Sequence, residues 1–237
     1  MKAYDNEALG NSPKLTREEC QAAILKHIDG LRGIDTHCHH LPDRQFKDVD
    51  LKFIYDHSYC DWMEPYPADK KDVPQYLLRN CSNSYFYWLR RGISEIYGMP
   101  VDGEHLEVLD EAIGKAYRDP EHHLRILDEK CRYEKILLDN YDHPGVAESS
   151  GKLFVPVLRC NMFAVCNCIS KRDHNDNNPD KYIPGIYEHS FEGYLKAVDE
   201  YILPHHILKL AIAYDEGNRI RNFDKDRAAV AYGQEHP

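Results

Sequence analysis

Short apolar runs alternate with longer stretches of helical periodicity along this chain. Four runs have the length and the apolar character of buried strands, and they cover residues 33–40, 135–139, 153–159 and 207–214. Stretches in which apolar residues recur at helical spacing separate them. Strands that alternate with helices indicate an α/β fold in which helical crossovers connect the strands of a parallel sheet.

The longest helical region lies between the first and the second predicted strand. Residues 41–132 contain no convincing strand, whereas apolar spacing predicts helices over 84–97, 104–118 and 120–132. Gly98 is suited to end the first of these helices, and Asp119 with Pro120 is suited to begin the last. We therefore expect a helical insertion at about residues 45–132, in which the aromatic residues 85–88 pack internally rather than form a lid.

Further helices are predicted near both ends of the chain. Thr16 and Glu19 form a capping-box pattern, and the helix that follows them ends before Gly30. The apolar residues of this helix are expected to cover the base of the sheet, and they are Ala22, Ile24, Leu25 and Ile28. Another helix is predicted from Ser190 to Pro204, and a last one over residues 224–232.

Composition narrows the class of protein. The 237 residues are 42% hydrophobic and 30% charged, which is typical of a globular domain. No apolar run approaches the roughly 20 residues of a membrane span, and residues 1–14 lack the apolar centre of a signal peptide. The formal net charge of -10 argues against a nucleic-acid partner. The eight cysteines show no disulfide framework, so we expect a cytoplasmic protein with reduced thiols.

The first predicted strand carries the strongest chemical signal. Alternation along a strand places Asp35, His37 and His39 on the same face. Two imidazoles two residues apart can bind one divalent metal from the same side, and imidazole is a common ligand of zinc. The alternative is a polar strand end with hydrogen-bonded histidines. The aspartate that precedes the pair in phase favours the metal.

This Asp-x-His-x-His run resembles the first strand of the amidohydrolase superfamily. The resemblance implies that His37 and His39 are metal ligands at the C-terminal mouth of a (β/α)8 barrel. Such a barrel typically needs about 250 residues without insertions. A chain of 237 residues with a long insertion is therefore expected to hold the N-terminal part of a TIM barrel, with about four parallel strands in residues 1–237.

Parallel barrels place functional groups at the C-terminal ends of their strands, which selects the other candidates. The second strand offers Asp139 and Asp142, the third offers Arg159, and the fourth offers Lys209 with Tyr214. A guanidinium suits a carboxylate substrate, although a salt bridge to Asp139 is an equal alternative.

Lys209 interrupts an apolar strand, so it is expected either to pair with a carboxylate or to contact substrate or metal. Many amidohydrolases bridge two metals with a carboxylated lysine on the fourth strand, and the resemblance puts Lys209 on the corresponding strand.

A narrower resemblance is to the uronate isomerases, a branch of the same superfamily with a long helical insertion after the first strand. Residues 142–144 are similar to the acidic turn that these enzymes carry after the second strand. Residues 157–161 are similar to their Phe-Arg-Pro-Asp end of the third strand, with Asn161 in place of the aspartate.

Other histidines and cysteines favour structural roles. Cys160, Cys166 and Cys168 with His174 match no standard zinc spacing, so we expect buried thiols rather than a zinc site. The pairs His122–His123 and His205–His206 fall on a helix and at a helix end, where surface or packing positions are expected.

Three functions follow from these patterns. The first is a metal-dependent hydrolase that binds a divalent metal, expected to be zinc, and acts through a metal-activated water on a small anionic substrate. Arg159, Lys209 and Asp142 are its candidate substrate-binding residues, and its catalytic base is not identified. The second is a uronate isomerase, and the third is a catalytically incomplete fragment. A carboxylate-bearing small molecule is the expected partner, without nucleic acid or membrane, and a homo-oligomer is compatible with the sequence.

Overall fold

The computed structural model describes residues 15–149, 152–215, 217 and 224–235. The polar segment 1–14 lies outside these residues. A helix, α1 (Arg17–Gly30), precedes one sheet of four parallel strands in chain order. The strands are β1 (Gly33–Cys38), β2 (Tyr133–Asp139), β3 (Phe154–Arg159) and β4 (Leu208–Lys209). The predicted α/β fold with a parallel sheet is thereby confirmed.

Parallel pairing places the carboxyl ends of the strands at one edge of the sheet, which we call the carboxyl edge. Asp139 of β2 lies opposite Val157 of β3, and Arg159 at the end of β3 lies opposite Lys209 of β4. Polar residues at the ends of neighbouring strands therefore meet at this edge, although they are far apart in the sequence.

Helices fill the chain between β1 and β2. They are α2 (Leu51–Asp56), α3 (Tyr59–Met63), α4 (Val73–Arg79), α5 (Ser84–Tyr97), α6 (Leu106–Ala116) and α7 (His122–Arg125), which continues into a π-helical turn at Ile126–Lys130. This insertion has a hydrophobic core of its own, in which Tyr55, Tyr76, Phe86, Leu109 and Ile113 are fully buried. Burial of each such side chain contributes about 1.5–3 kcal/mol, so the insertion is a packed unit rather than a loop.

Local capping explains why α5 has its predicted limits. The Asn83 side chain accepts a hydrogen bond from the backbone N–H of Tyr85 at 2.9 Å and so begins the helix. Gly98 ends it in the left-handed conformation with φ of 70°, which costs glycine least, and its N–H bonds to the carbonyl of Ser94.

The chain after β3 is mainly helical and irregular. Its helices are α8 (Asn161–Val165), α9 (Phe191–Ile202) and α10 (Lys225–Ala231). Ser190 caps α9 as predicted, because its hydroxyl accepts a hydrogen bond from the N–H of Gly193. In the part of the chain that the structure describes, no helix is both long enough and apolar enough to cross a bilayer.

The predicted fourth strand over 207–214 is wrong in its length. Only Leu208 and Lys209 pair with β3, and the chain turns into a 3₁₀ helix at Ile212–Tyr214. The backbone N–H of Ala211 donates to the side-chain oxygen of Asn161 at 2.6 Å, so it is withdrawn from the sheet. A side chain of α8 therefore ends the strand two residues after Lys209.

The prediction of a buried face on α1 is also wrong. The helix contains no buried residue, and its large apolar side chains are more than half exposed; they are Ile24, Leu25 and Ile28. A hydrogen bond from Arg132 to the carbonyl of Asp29 joins the C-terminal end of α1 to the turn before β2. The helix is thus attached to the sheet at its end and not along its side.

Candidate metal centre

The ends of all four strands contribute a functional group to the carboxyl edge. His37 comes from β1, Asp139 from β2, Arg159 from β3 and Lys209 from β4. His39 follows β1 directly and joins the same group. Four of the five predicted site residues are therefore brought together, and the fifth, Asp142, is not.

His37, His39 and Asp139 offer a set of ligand atoms that could hold a metal ion. One such atom from each residue lies within 4.8 Å of the others. The two imidazole rings meet edge to face with their centres 4.5 Å apart, and His37 Nδ1 lies 4.0 Å from Asp139 Oδ2. Two imidazoles and a carboxylate are a donor set that suits zinc and similar divalent metals.

The tautomer of His39 follows from its partners. Its Nδ1 lies 2.7 Å from the backbone carbonyl of Asp139, which can only accept, so Nδ1 carries the proton. Its Nε2 is then unprotonated and accepts a hydrogen bond from the Tyr141 hydroxyl at 2.7 Å. A ring nitrogen bound to a carbonyl, with the other nitrogen left as an acceptor, is the usual arrangement of a metal-binding histidine.

His37 remains open to a ligand. The Lys209 ammonium lies 3.2 Å from its Nδ1 and 3.1 Å from its Nε2. An atom equally distant from both nitrogens does not lie on the lone-pair axis of either. Burial lowers the pKa of His37, and the positive charge of Lys209 lowers it further. Burial also lowers the pKa of His39, which keeps both rings in the neutral form that binds metals.

Asp139 is the centre of a buried ion-pair network. Arg159 binds it with both sides of the guanidinium, Nε to Oδ1 at 3.1 Å and Nη2 to Oδ2 at 2.5 Å. Lys209 Nζ adds a third contact to Oδ2 at 2.8 Å. Burial alone would raise the pKa of the carboxyl, but the hydrogen bonds from Arg159 and Lys209 outweigh it and hold the pKa below its usual value.

Arg159 has little capacity left for a substrate. Its side chain is 3% exposed, and its Nη1 donates to Asn175 Oδ1 at 2.9 Å. The same nitrogen lies 3.3 Å from His174 Nε2, and the guanidinium stands over the ring of Tyr141 at 4.7 Å. Two roles were predicted for Arg159, binding of a carboxylate substrate and a salt bridge to Asp139. The structure shows the salt bridge.

Lys209 and Asp142 differ in their position. The Lys209 side chain is 27% exposed and lies at the open side of the network. It pairs with the Asp139 carboxylate, which is one of the two roles predicted for it. Asp142 lies exposed in the loop after β2, where its backbone N–H bonds to the side chain of Asn140. Within the described residues, its carboxylate does not belong to the group around His37 and His39.

A cavity of about 600 Å³ opens between the insertion and the carboxyl edge. His37, His39 and Tyr141 lie in its wall beside His57 and Tyr59 of the insertion. The prediction from sequence did not select Tyr141, His57 or Tyr59. Tyr141 follows Asp139 by two residues at a strand end, which is a usable signal, whereas the positions of the other two depend on how the insertion packs.

The cysteines near β3 are buried free thiols. Cys160, Cys166 and Cys168 are each 5% exposed or less. His174 is bound elsewhere, since its Nδ1 lies 2.9 Å from the Asp215 carboxylate. In the described parts of the chain, these cysteines do not form a metal-binding group with His174.

Comparisons with known proteins found no relative of this chain. Neither the protein-family models, nor the curated proteins, nor the solved structures gave a match.

Proposed function

We propose that this chain folds as part of a (β/α)8 barrel and that it carries the metal site of an amidohydrolase-type hydrolase. The observation that carries the proposal is the meeting of His37, His39 and Asp139 at the carboxyl edge of a parallel sheet. Barrel enzymes place their catalytic groups at this edge. The resemblance of residues 35–39 to the first strand of the superfamily agrees with this position.

The three donors fit a divalent metal. His39 presents an unprotonated Nε2, and the neutral ring of His37 has one unprotonated nitrogen, which lies beside the Lys209 ammonium. An ionised carboxylate offers about four acceptor sites, and three of those on Asp139 are taken by Arg159 and Lys209. One remains for an ion. A zinc ion held there acts as a Lewis acid and lowers the pKa of water from about 15.7 toward about 7.

The residues around the three metal ligands have different roles in this proposal. Arg159 keeps Asp139 ionised and oriented, since its fork occupies both carboxylate oxygens. The Tyr141 hydroxyl holds the ring of His39 and lines the cavity, where it can donate a hydrogen bond to a substrate oxygen once His39 is bound to metal. Lys209 is partly exposed and is the cation that can reach an anionic group of the substrate.

A second candidate reaction is the isomerisation of a uronate. The observation in its favour is the helical insertion, which has its own core and supplies one wall of the cavity beside His37 and His39. The imidazole of His57 and the hydroxyl of Tyr59 line this wall, and polar groups of this kind suit the hydroxyl groups of a sugar.

The test uses the full chain, depleted of metal with a chelator and reloaded with Zn²⁺, Co²⁺ or Mn²⁺. Carboxylate-bearing esters, amides and lactones form one substrate panel, and hexuronates form the other. We expect metal-dependent hydrolysis in the first panel. Turnover of hexuronates alone would favour the isomerase, and turnover of neither substrate by a metal-loaded chain would favour a catalytically incomplete fragment.

Variants identify the ligands. The double variant His37→Ala with His39→Ala should lose both the metal bound at this site and the activity. Thr36→Ser, directly before His37 in sequence and on the other face of β1, is the matched control and should keep both. Metal content unchanged from the wild type in the double variant would contradict the assignment.

A further inference from the structure

A second group of metal-binding side chains lies next to the first and does not share any residue with it. Ligand atoms of His40, Asp43 and His123 lie within 4.8 Å of one another. His40 follows β1, Asp43 begins a short 3₁₀ turn at Asp43–Gln45, and His123 belongs to α7 of the insertion. Three segments that are separate in the sequence therefore bring these residues together.

Two buried nitrogens of this group have no hydrogen-bond partner. They are Nε2 of His40 and Nδ1 of His123, and the His123 residue is 96% buried. Buried polar atoms in proteins are nearly always paired, because an unpaired one has lost its hydrogen bonds to water without replacement. The two unpaired nitrogens lie on neighbouring rings. A bound ion that accepts the lone pair of an imidazole would pair both of them.

Packing alone does not account for the histidines. The His123 ring stacks on Phe46 at 4.1 Å and on His40 at 5.3 Å, and His40 stacks on Phe154 at 4.8 Å. A phenyl ring in either position would make the same stack and would bury no unpaired nitrogen. The imidazoles are thus more than space-filling groups in this stack.

Asp43 determines which nitrogen of His123 is available. The carboxylate lies 3.1 Å from His123 Nε2, and a carboxylate can only accept, so Nε2 carries the proton. Nδ1, the unpaired nitrogen, is then the one with a free lone pair. A carboxylate that orients a histidine through its other nitrogen is a recurrent partner of metal ligands.

We propose that His40 and His123 bind a second divalent metal ion of the zinc type, with Asp43 supplying the compensating negative charge. Zinc–nitrogen bonds of about 2.0–2.1 Å place two tetrahedral ligands about 3.3 Å apart, and the ligand atoms of this group lie within 4.8 Å of one another, so binding would draw the rings together. The ion has an entry path, because both histidines line the cavity of about 600 Å³ that also contains His37.

This site would have a structural consequence that the first site lacks. It links α7 of the insertion to the segment after β1, and so it ties the two hydrophobic cores together. Since an ion that binds only the folded chain stabilises it, zinc should raise the unfolding temperature through this site whether or not the first site is intact.

The test counts zinc in the full chain after chelator treatment, reloading and dialysis. We expect two zinc ions per wild-type chain, one in His123→Phe, and one in the double variant His37→Ala with His39→Ala. Phenylalanine preserves the ring stack, so His123→Phe should fold. Asp43→Asn is the second variant, and it should weaken zinc binding at this site while leaving the other ion in place.

A matched control lies next to His123 on the same helix. His122 contacts the Tyr97 hydroxyl at 3.2 Å and is outside the group, so His122→Gln should retain two zinc ions. A zinc-induced rise in unfolding temperature should persist in the His37–His39 double variant, and it should be smaller in His123→Phe than in the wild type.

Each outcome separates the two sites. A double variant at His37 and His39 that holds no zinc would overturn the second site, as would two ions retained in both His123→Phe and Asp43→Asn. A wild-type chain with one ion that is lost only in His123→Phe would support the second site and contradict the first.

Discussion

Removal of the Asp139 carboxylate charge should strongly destabilise the chain. In Asp139→Asn the side chain keeps its size, but the Arg159 guanidinium, 3% exposed, loses the one carboxylate partner that it has among the residues described in the structure. Its other contacts, Asn175 and His174, do not carry a compensating negative charge. An uncompensated buried charge typically costs about 3–5 kcal/mol, and we expect a loss of this size in the free energy of unfolding at pH 7.

The pH dependence gives the same prediction an independent check. The folded state holds the pKa of Asp139 below its usual value, so near pH 4 the unfolded chain binds more protons at this group than the folded chain does. The stabilisation is therefore complete above the ordinary pKa of about 3.9, and it is lost as the pH falls through the lowered pKa of the folded state. The difference between wild type and Asp139→Asn should shrink in that acid range.

Urea unfolding of the metal-free chain measures this effect. Replacement of both partners in Asp139→Asn with Arg159→Met should cost less than Asp139→Asn alone, because no charge is then left buried. Lys209→Met is the matched control, since that side chain is 27% exposed and its loss should cost about 1 kcal/mol or less. A cost below about 1 kcal/mol for Asp139→Asn, or a double variant as unstable as the sum of the singles, would refute the reasoning.

Three further predictions concern other parts of the chain. The metal-free protein should lose up to about 3 kcal/mol of stability as the pH falls from about 6.5 to 4, because burial lowers the pKa of His40 to about 4 in the folded state. In urea titrations, His40→Phe should remove this dependence of the free energy of unfolding on pH. Gly145→Ala should cost more than Gly98→Ala by thermal unfolding. Both glycines have positive φ, but only at Gly145 would the added Cβ lie 2.5 Å from His205. Leu109→Ala should cost about 2–5 kcal/mol in urea unfolding, because the side chain is fully buried in the core of the insertion.

Local patterns were sufficient to predict the parallel sheet and the side chains that meet at its carboxyl edge. The face shared by His37 and His39 depends only on the alternation of side chains along a strand. The position of Asp139, Arg159 and Lys209 at one edge depends only on the strands being parallel. These are short-range or topological properties, and for that reason a single sequence contains them.

Other features depend on contacts between distant segments and could not be predicted. The early end of β4 is caused by the Asn161 side chain, which takes the N–H of Ala211. Whether Arg159 binds a substrate or forms a salt bridge depends on the distance between its guanidinium and the Asp139 carboxylate in the folded chain. The cavity wall formed by His57 requires the packing of the whole insertion against the sheet edge.

The network at the carboxyl edge also determines how a metal ion can be accepted there. One buried carboxylate faces two cationic side chains, Arg159 and Lys209, so an added divalent ion meets like charge as well as ligands. Arg159 is buried and held by four groups, whereas Lys209 is partly exposed and held mainly by Asp139. A divalent ion at the fourth acceptor site of Asp139 would therefore repel Lys209 from the carboxylate more readily than Arg159. Lys209 would then be the cation at the rim of the cavity that can turn toward an anionic group of a substrate.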